Sequence, residues 1–333
     1  MANVLISVSL LLLATGPAVA QSPSAPASSE PSSQLETVTG TASSVDKATQ
    51  TEDVRFRTEV NDRMTVPVRL SGKGPYRFLV DTGADRTAIS RDLASRLKLS
   101  AGENVELHSV AGASSVSTAN VLGLQLTRKA VNISDAPLLE SANMGADGIL
   151  GTDSLASQRV VFDFAAQTMS VVPAATPDFR DEPGTIVVEA RRRNGRLVVT
   201  DAYANGEHIT VVLDTGSQIS IGNEALQKAL LRSSLSGSEP VELESVTGEK
   251  LAGNYMFVRE IELGGIGLKN LAVVFAPAHT FKQLKLDNKT ALLLGMNAMR
   301  AFKKVSIDFS RNTLRVIVPE SSRLDVRLAD ARF

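Results

Sequence analysis

The clearest candidates for catalytic residues in the sequence are two Asp-Thr-Gly triplets, one at residues 81–83 and the other at residues 214–216. Each triplet directly follows a short apolar run, so each carboxylate is expected at the end of a buried strand. A single Asp-Thr-Gly is most often a tight turn, in which Asp accepts backbone N–H groups and Gly relieves the backbone. Two copies in the same context indicate a paired function instead.

Paired carboxylates are suited to the hydrolysis of a peptide bond by water. One ionised Asp takes a proton from the water, while a second, protonated Asp polarises the carbonyl group. Two carboxylates held close together cannot both ionise readily, so the pair shares a proton and titrates as a unit. The sequence therefore predicts that Asp81 and Asp214 form a catalytic dyad.

The two triplets belong to a repeat that covers most of the chain. Asp214 follows Asp81 by 133 residues, and Arg196 follows Arg63 by the same interval. Other segments recur in the same order: PYRFLVD (75–81) with HITVVLD (208–214), SRDLASRLKL (90–99) with GNEALQKALL (222–231), SVAG (109–112) with SVTG (245–248), DGILGTDSL (147–155) with ALLLGMNAM (291–299), and VVFDFAAQTMSVV (160–172) with VSIDFSRNTLRVI (305–317). A period this long is typical of a duplicated lobe.

The repeated segments predict the elements that position the carboxylates. Alternating apolar residues and turn signals such as Asn205-Gly206 predict strand hairpins, and residues 90–99 and 222–231 have the spacing of short amphipathic helices. Two such lobes related by a pseudo-twofold axis bring two equivalent Asp side chains to their interface. Thr82 and Thr215 are then placed to hydrogen-bond across that interface.

The quoted motifs resemble those of a known family. FLVDTGADRTAIS (78–90) and VVLDTGSQISIG (211–222) are similar to the active-site loops of retropepsin-like aspartic proteases, and GILG (148–151) and LLLG (292–295) resemble the element packed behind those loops. The segments GTDSL and GMNAM are closer to the bacterial secreted branch. The resemblance covers about residues 54–319. It implies an all-β fold of two homologous closed lobes with short helices, in a pepsin-like pseudo-twofold arrangement within one chain.

The resemblance also implies roles for individual residues. Asp81 and Asp214 become the catalytic pair of an aspartic endopeptidase that needs neither metal nor organic cofactor. The loop-supporting residues are Thr82, Gly83, Ala84, Thr215, Gly216 and Ser217, with the Ser217 hydroxyl as a donor to one carboxylate. The residues expected to contact substrate are Asp85, Gln218, Gly112 and Gly248, the last two in flap hairpins at residues 106–120 and 242–257. Because Asp85 and Gln218 differ in charge, the two halves of the cleft should not be equivalent.

Composition excludes several other classes of function. The 35 Lys and Arg residues nearly balance the 36 Asp and Glu residues, so no basic field is present to attract nucleic acid. The sequence contains no Cys, which excludes thiol catalysis and disulfides. His108, His208 and His279 lie far apart in sequence, so a zinc site is not expected, and they are interpreted as surface or hydrogen-bonded loop residues.

The N-terminal region predicts export. Residues 1–20 combine a short apolar run with an Ala-Val-Ala cleavage pattern, which is typical of a signal peptide and leads to a secreted or periplasmic protein. An uncleaved membrane anchor is the alternative, although the run is short for a membrane span. Residues 21–53 are rich in Ser, Pro and Ala and are expected to be a disordered tether, with a propeptide as the open alternative. Lobe 1 is predicted at residues 54–176, lobe 2 at residues 185–319, and a tail at residues 320–333.

Two alternatives remain open from sequence. The chain could be a non-catalytic module that binds peptides on the same fold, although both triplets are intact. Each lobe could also pair with the same lobe of a second chain, which predicts an obligate dimer. The constant interval of 133 residues favours pairing within one chain, hence a monomer whose partner is a protein or peptide substrate.

Overall fold

The computed structural model describes residues 64–126, 130–176, 182, 184–231 and 236–319, and the backbone of short strands at Asn3–Leu5, Ser9–Leu10, Thr37–Thr39 and Ser43–Val45. The predicted C-terminal tail lies outside the described residues. So do the predicted signal peptide and tether, apart from those short strands. Among the described residues, no helix is long and apolar enough to cross a bilayer. The predicted all-β fold is confirmed, because strands form most of the described chain.

The first lobe is built around a closed barrel of six strands. Residues Val66, Val68 and Leu70 alternate with exposed neighbours, so the first strand turns one apolar face into the barrel. The hairpin turn predicted after Leu70 is present, with Ser71 and Gly72 both at positive φ. In barrel order the strands are Thr118–Gln125, Ala130–Leu139, Ala88–Ser90, Gly148–Leu150, Lys73–Val80 and Thr65–Leu70.

The second lobe repeats these pairings in an open, curved sheet. Its strands are Arg191–Arg193, Arg196–Val199, Ala202–Ala204, Glu207–His208, Thr210–Leu213, Ser220–Gly222, Ser236–Ser245, Lys250–Leu263, Ile266–Phe275 and Ala291–Leu294. Within residues 196–204 the strand is broken at Thr200 and Asp201. Its first part pairs with Thr210–Leu213, whereas its second part pairs with Lys250–Leu263.

The helices of the described residues are short and lie at the ends of strands. The two predicted amphipathic helices are present at Arg91–Leu97 and Glu224–Leu230. Ser90 and Asn223 start them by accepting hydrogen bonds from the backbone N–H groups of Leu93 and Leu226. The remaining helices are Ser141–Met144, Thr152–Leu155, His279–Gln283 and Met296–Met299.

Each lobe carries a hairpin whose turn is one of the repeated Ser-Val-x-Gly segments, and these two hairpins are here called the first and second flaps. The first flap consists of Val105–His108 and Ala113–Val116, and the second flap consists of Ser236–Ser245 and Lys250–Leu263. SVAG and SVTG form the two tips, as the sequence predicts. The backbone of Asn3–Leu5 runs parallel to the first flap, and that of Ser9–Leu10 runs antiparallel to the second.

A shared sheet of five strands joins the two lobes. Gln158–Asp163 of the first lobe pairs antiparallel with Lys304–Asp308 of the second, so that Phe162 faces Val305 and Val160 faces Ile307. The other strands are Thr168–Pro173, Thr313–Ile317 and Thr185–Glu189. Phe162 and Phe309 are buried in the core, as expected from their alternating positions. The lobes are therefore parts of one hydrogen-bonded framework.

Tight packing at Gly295 provides a test of this framework. A Cβ atom at Gly295 would lie 2.6 Å from the backbone carbonyl of Ile219, so the strand and the loop must separate to admit it. We expect Gly295→Ala to lower the free energy of unfolding by about 1–3 kcal/mol, as overpacking typically does, measured by urea denaturation. Gly112→Ala is the control, because Gly112 is not at positive φ and the nearest atom to its added Cβ is Oε2 of Glu249, at an ordinary contact distance of 3.7 Å. Equal losses in both variants would contradict the prediction.

Candidate active site

Two equivalent strand pairs deliver the predicted catalytic residues to the lobe interface. Lys73–Val80 runs parallel to Gly148–Leu150, and the Asp81 N–H donates to the Leu150 carbonyl at 3.0 Å. In the second lobe Thr210–Leu213 runs parallel to Ala291–Leu294, and the Asp214 N–H donates to the Leu294 carbonyl at 3.0 Å. The segments at residues 148–151 and 292–295 therefore pack behind the two Asp-Thr-Gly loops, as the resemblance implied.

Four hydrogen bonds made by Thr82 and Thr215, here called the threonine brace, hold the two loops together. The Thr82 hydroxyl donates to the Leu213 carbonyl at 2.8 Å, and the Thr215 hydroxyl donates to the Val80 carbonyl at 2.8 Å. Each hydroxyl also accepts the backbone N–H of the other threonine, at 3.1 and 3.0 Å. Both threonines are buried. The predicted hydrogen bonds across the interface are thus present in both directions.

The Asp81 and Asp214 carboxylates lie side by side in this interface, both buried. Oδ1 of Asp81 accepts the Gly83 N–H at 2.7 Å, while Oδ1 of Asp214 accepts the N–H groups of Gly216 at 3.1 Å and Ser217 at 3.2 Å. Oδ2 of each carboxylate receives no hydrogen bond from the described residues. These two oxygens are therefore available to a proton, a water or a substrate group.

The glycines of both triplets make this close approach feasible. A Cβ at Gly83 would lie 2.6 Å from Oδ1 of Asp214, and a Cβ at Gly216 would overlap the Asp81 carboxylate. A larger residue at either position would push the two loops apart.

Burial and proximity separate the titration of the two carboxyl groups from that of ordinary Asp residues. Burial raises the pKa of Asp214 to about 6, against the favourable effect of Arg196 and of its backbone hydrogen bonds. Burial, followed by repulsion from Asp214, raises the pKa of Asp81 well above its usual value. Both shifts have the same direction, so the pair keeps a proton to higher pH than ordinary Asp residues do.

A buried arginine accompanies the carboxylates, and sequence reasoning did not assign it a role. Arg196 is 1% exposed, and its Nε–H donates to the Gly83 carbonyl at 2.7 Å. Burial lowers the pKa of Arg196, while the carboxylates of Asp85, Asp214 and Asp81 act in the opposite direction. The sequence did contain a signal for Arg196, because Arg196 follows Arg63 by 133 residues, the same interval that separates Asp214 from Asp81.

A second layer of side chains holds each loop from behind. In the first lobe the Thr87 hydroxyl donates to Asp153 at 2.6 Å and accepts the Gly151 N–H at 3.2 Å. In the second lobe the Ser220 hydroxyl donates to Asn297 at 2.8 Å and accepts the Gly295 N–H at 3.1 Å. GTDSL and GMNAM thus perform the same structural task with different polar groups.

The other predicted loop residues lie beside the dyad, with one correction. Ala84 is buried, while Asp85 and Gln218 are half-buried at matched positions of the two loops. The expectation that the Ser217 hydroxyl donates to a carboxylate is wrong. That hydroxyl donates to the Ile219 carbonyl at 2.6 Å, and the Ser217 backbone N–H contacts Asp214 instead.

Each flap tip inserts a valine into the opposite lobe. Val110 of the first flap packs in the apolar cluster around Phe281 of the second lobe, and Val246 of the second flap packs among first-lobe residues including Met144. Gly112 lies beside the Glu249 carboxylate, and Gly248 lies beside the Asn143 side chain. The flaps therefore cover the cleft and contact the lobe opposite their own.

Comparison with known proteins agrees with this geometry. A family model described as aspartyl protease, of the retropepsin-like type, matches residues 66–154 and again residues 200–298. Each matched region contains one triplet and one apolar-Gly segment, so the expected resemblance and the expected two lobes are confirmed. No curated protein sequence matches the chain significantly.

The threonine brace gives a direct test of the interface. Thr82→Val keeps the side-chain volume but leaves the Leu213 carbonyl and the Thr215 N–H buried without that partner. We expect the free energy of unfolding to fall by about 2–5 kcal/mol, because each unsatisfied buried group costs about 1–3 kcal/mol. Thr82→Ser keeps the hydroxyl and should lose less than about 1.5 kcal/mol. Equal losses in the two variants, measured by urea denaturation, would show that the brace is not essential.

Proposed function

This chain belongs to the aspartyl protease family, and we propose that it is an active endopeptidase. It hydrolyses the peptide bonds of its substrate with a water held between the Asp81 and Asp214 carboxyl groups. The observation that carries the proposal is the pair of buried carboxylates, one from each lobe, with two oxygens free of hydrogen bonds from the described residues. A structural pair of carboxylates would be expected to have those oxygens satisfied. A catalytic pair needs them free for water and substrate.

The first step needs one ionised and one protonated carboxyl group, and we assign Asp214 as the base and Asp81 as the acid. Ionised Asp214 takes a proton from a bound water while the water oxygen attacks the peptide carbonyl carbon. Protonated Asp81 gives its proton to the carbonyl oxygen, which yields a neutral tetrahedral diol and inverts the protonation of the two residues. In the second step Asp214 donates its proton to the leaving nitrogen and Asp81 recovers a proton from a diol hydroxyl. The C–N bond breaks, and the dyad returns to its starting state.

The loops and flaps support binding of an extended peptide across the dyad. The flaps lie over the cleft from both sides, and Asp85 and Gln218 flank the carboxylates at matched positions. A peptide crossing the cleft would meet a carboxylate on one side and a neutral amide on the other. The cleft should therefore distinguish the two ends of its substrate, with Gly112 and Gly248 of the flap tips above the chain.

We also propose that the protein works as a monomer outside the cytoplasm. The threonine brace and the shared sheet both join lobes of the same chain, so no second chain is needed to complete the dyad. Export to the periplasm or the medium rests on the apolar run and Ala-Val-Ala pattern within residues 1–20. Neither metal nor organic cofactor takes part in the proposed chemistry.

Replacing either catalytic carboxylate tests the dyad. We expect Asp81→Asn and Asp214→Asn each to lower kcat by at least about a thousandfold on a peptide library, because each removes one proton-transfer partner. Neither variant should melt below the parent at pH 7.5. A buried Asp whose folded pKa is raised above its unfolded value loses stability as pH rises through that window, and Asn avoids this loss. Full activity in either variant would refute the shared dyad.

The pH profile of kcat/KM provides an independent test. Activity requires the singly protonated pair, so it should rise with pH through an apparent pKa near 6 as Asp214 ionises. It should fall again at higher pH, as Asp81 loses its proton. The profile is measured on one peptide substrate between about pH 3 and pH 9. A profile that is flat through pH 6 would contradict the assignment of the base.

The rival function is peptide binding without hydrolysis on the same fold. It predicts saturable binding of a peptide that mimics the tetrahedral diol, together with no cleavage of any library peptide across the same pH range. The free Oδ2 atoms and the two intact triplets favour the enzyme. Mass spectrometry of the peptide library, with Asp214→Asn as the blank, separates the two functions.

A further inference from the structure

One side chain of the first flap meets two side chains of a second-lobe helix next to the tip of the flap. His108 ends the flap strand Val105–His108, whereas His279 and Gln283 lie one turn apart on the second-lobe helix His279–Gln283. Nδ1 of His108 lies 2.9 Å from Nε2 of His279, and the Gln283 amide nitrogen lies 3.3 and 3.1 Å from these two atoms. The interpretation of His108 as a surface or loop residue is wrong, because it is 5% exposed and lies in a strand.

Hydrogen atoms cannot satisfy all three contacts of this triangle at once. A favourable contact needs one donor and one acceptor, and an amide nitrogen only donates. If Gln283 donates to both imidazoles, the two ring nitrogens face each other with lone pairs at 2.9 Å. If the amide turns to present its oxygen, both rings must donate and their N–H groups collide. Any mixed arrangement leaves one of the three contacts repulsive.

A cation at the centre of the triangle removes this conflict. Both imidazoles then present lone pairs, and the Gln283 amide turns so that its oxygen points inward. Imidazole nitrogens bind zinc at about 2.0–2.1 Å, so the ligands of a tetrahedral site are separated by about 3.3 Å. The three observed separations of 2.9, 3.1 and 3.3 Å are equal to that spacing or slightly shorter.

The surroundings also resemble a metal site. Nε2 of His108 is buried without a hydrogen-bond partner among the described residues and faces Oε1 of Glu106 at 3.7 Å. A metal-bound histidine commonly donates its second N–H to a carboxylate, and Glu106 would have to move closer to accept it, since 3.7 Å is beyond hydrogen-bond distance. Glu106 and Glu249 add negative charge nearby, against the single positive charge of Lys282.

We propose that His108, His279 and Gln283 form a binding site for a divalent transition-metal ion of the zinc type. Imidazole donors select zinc, copper or nickel over magnesium or calcium. Among the described residues no three His, Cys, Asp or Glu side chains converge on one point, so the amide of Gln283 supplies the third ligand. The fourth position remains open to water.

The site ties the first flap to the second lobe. The backbone N–H of His279 already donates to the Val110 carbonyl at 2.8 Å, and the Ser109 hydroxyl contacts the Glu249 carboxylate at 3.3 Å. An ion bound at His108 adds a stronger link at the same point. If the chain cleaves peptides as proposed above, the bound ion restrains opening of the first flap.

The test uses the full chain carrying Asp214→Asn, titrated with zinc chloride and followed by calorimetry and thermal melting. This background removes one dyad carboxylate as a competing ligand and makes the result independent of peptidase activity. We expect one zinc ion per chain and a rise in Tm of about 5 °C or more at a hundredfold excess over Kd. Absence of zinc binding in this protein would overturn the proposal and leave the proposed peptidase untouched.

Substitutions on the helix separate the site from other zinc contacts. His279→Ala and Gln283→Leu should each weaken zinc binding at least tenfold, while His208→Ala should leave it unchanged, because His208 is exposed and contacts Thr200 elsewhere. Gln283→Glu should tighten binding, since it adds a charged oxygen ligand at the same position. Equal weakening by His279→Ala and His208→Ala, or weaker binding in Gln283→Glu, would refute the assignment. His279 and Gln283 are both half-buried, so neither variant depends on repacking the core.

Discussion

Burial of two like carboxylates in contact is the constraint on which the rest of the structure depends. Such a pair is unfavourable by itself, since desolvation and mutual repulsion both oppose ionisation. The threonine brace, the parallel strands behind each loop and the glycines that admit the opposing carboxylate all act to hold Asp81 and Asp214 together. The same burial that destabilises the pair gives it one shared proton, which is the protonation state that acid–base chemistry requires.

The duplicated architecture makes the two halves similar but not identical. Equivalent backbone bonds reach Asp81 and Asp214, yet Arg196 donates to the loop of the first lobe only, among the described residues. Thr87 with Asp153 and Ser220 with Asn297 perform one task with different charges. Symmetry therefore places the two carboxyl groups together, and departures from symmetry make their surroundings unequal.

Local patterns in the sequence predicted most of the elements that build the site. Helix caps at Ser90 and Asn223, the apolar-Gly segments and the strands before each Asp depend on neighbours along the chain, which a sequence displays directly. The Ser217 hydroxyl was misassigned because its acceptor depends on the local loop conformation. The contact of His108 with His279 spans 171 residues and requires the packed flap, so spacing along the chain could not reveal it.

The sheet shared by the lobes also constrains the order in which the protein can be completed. The strand Gln158–Asp163 cannot pair with Lys304–Asp308 until the ribosome has added roughly 140 more residues, which takes about 10–30 s at ordinary rates of synthesis. During that interval an apolar strand edge containing Val161 and Phe162 has no native partner and is open to pairing with other nascent chains. A cell that makes this protein should therefore keep the first half bound to a chaperone until the second half emerges.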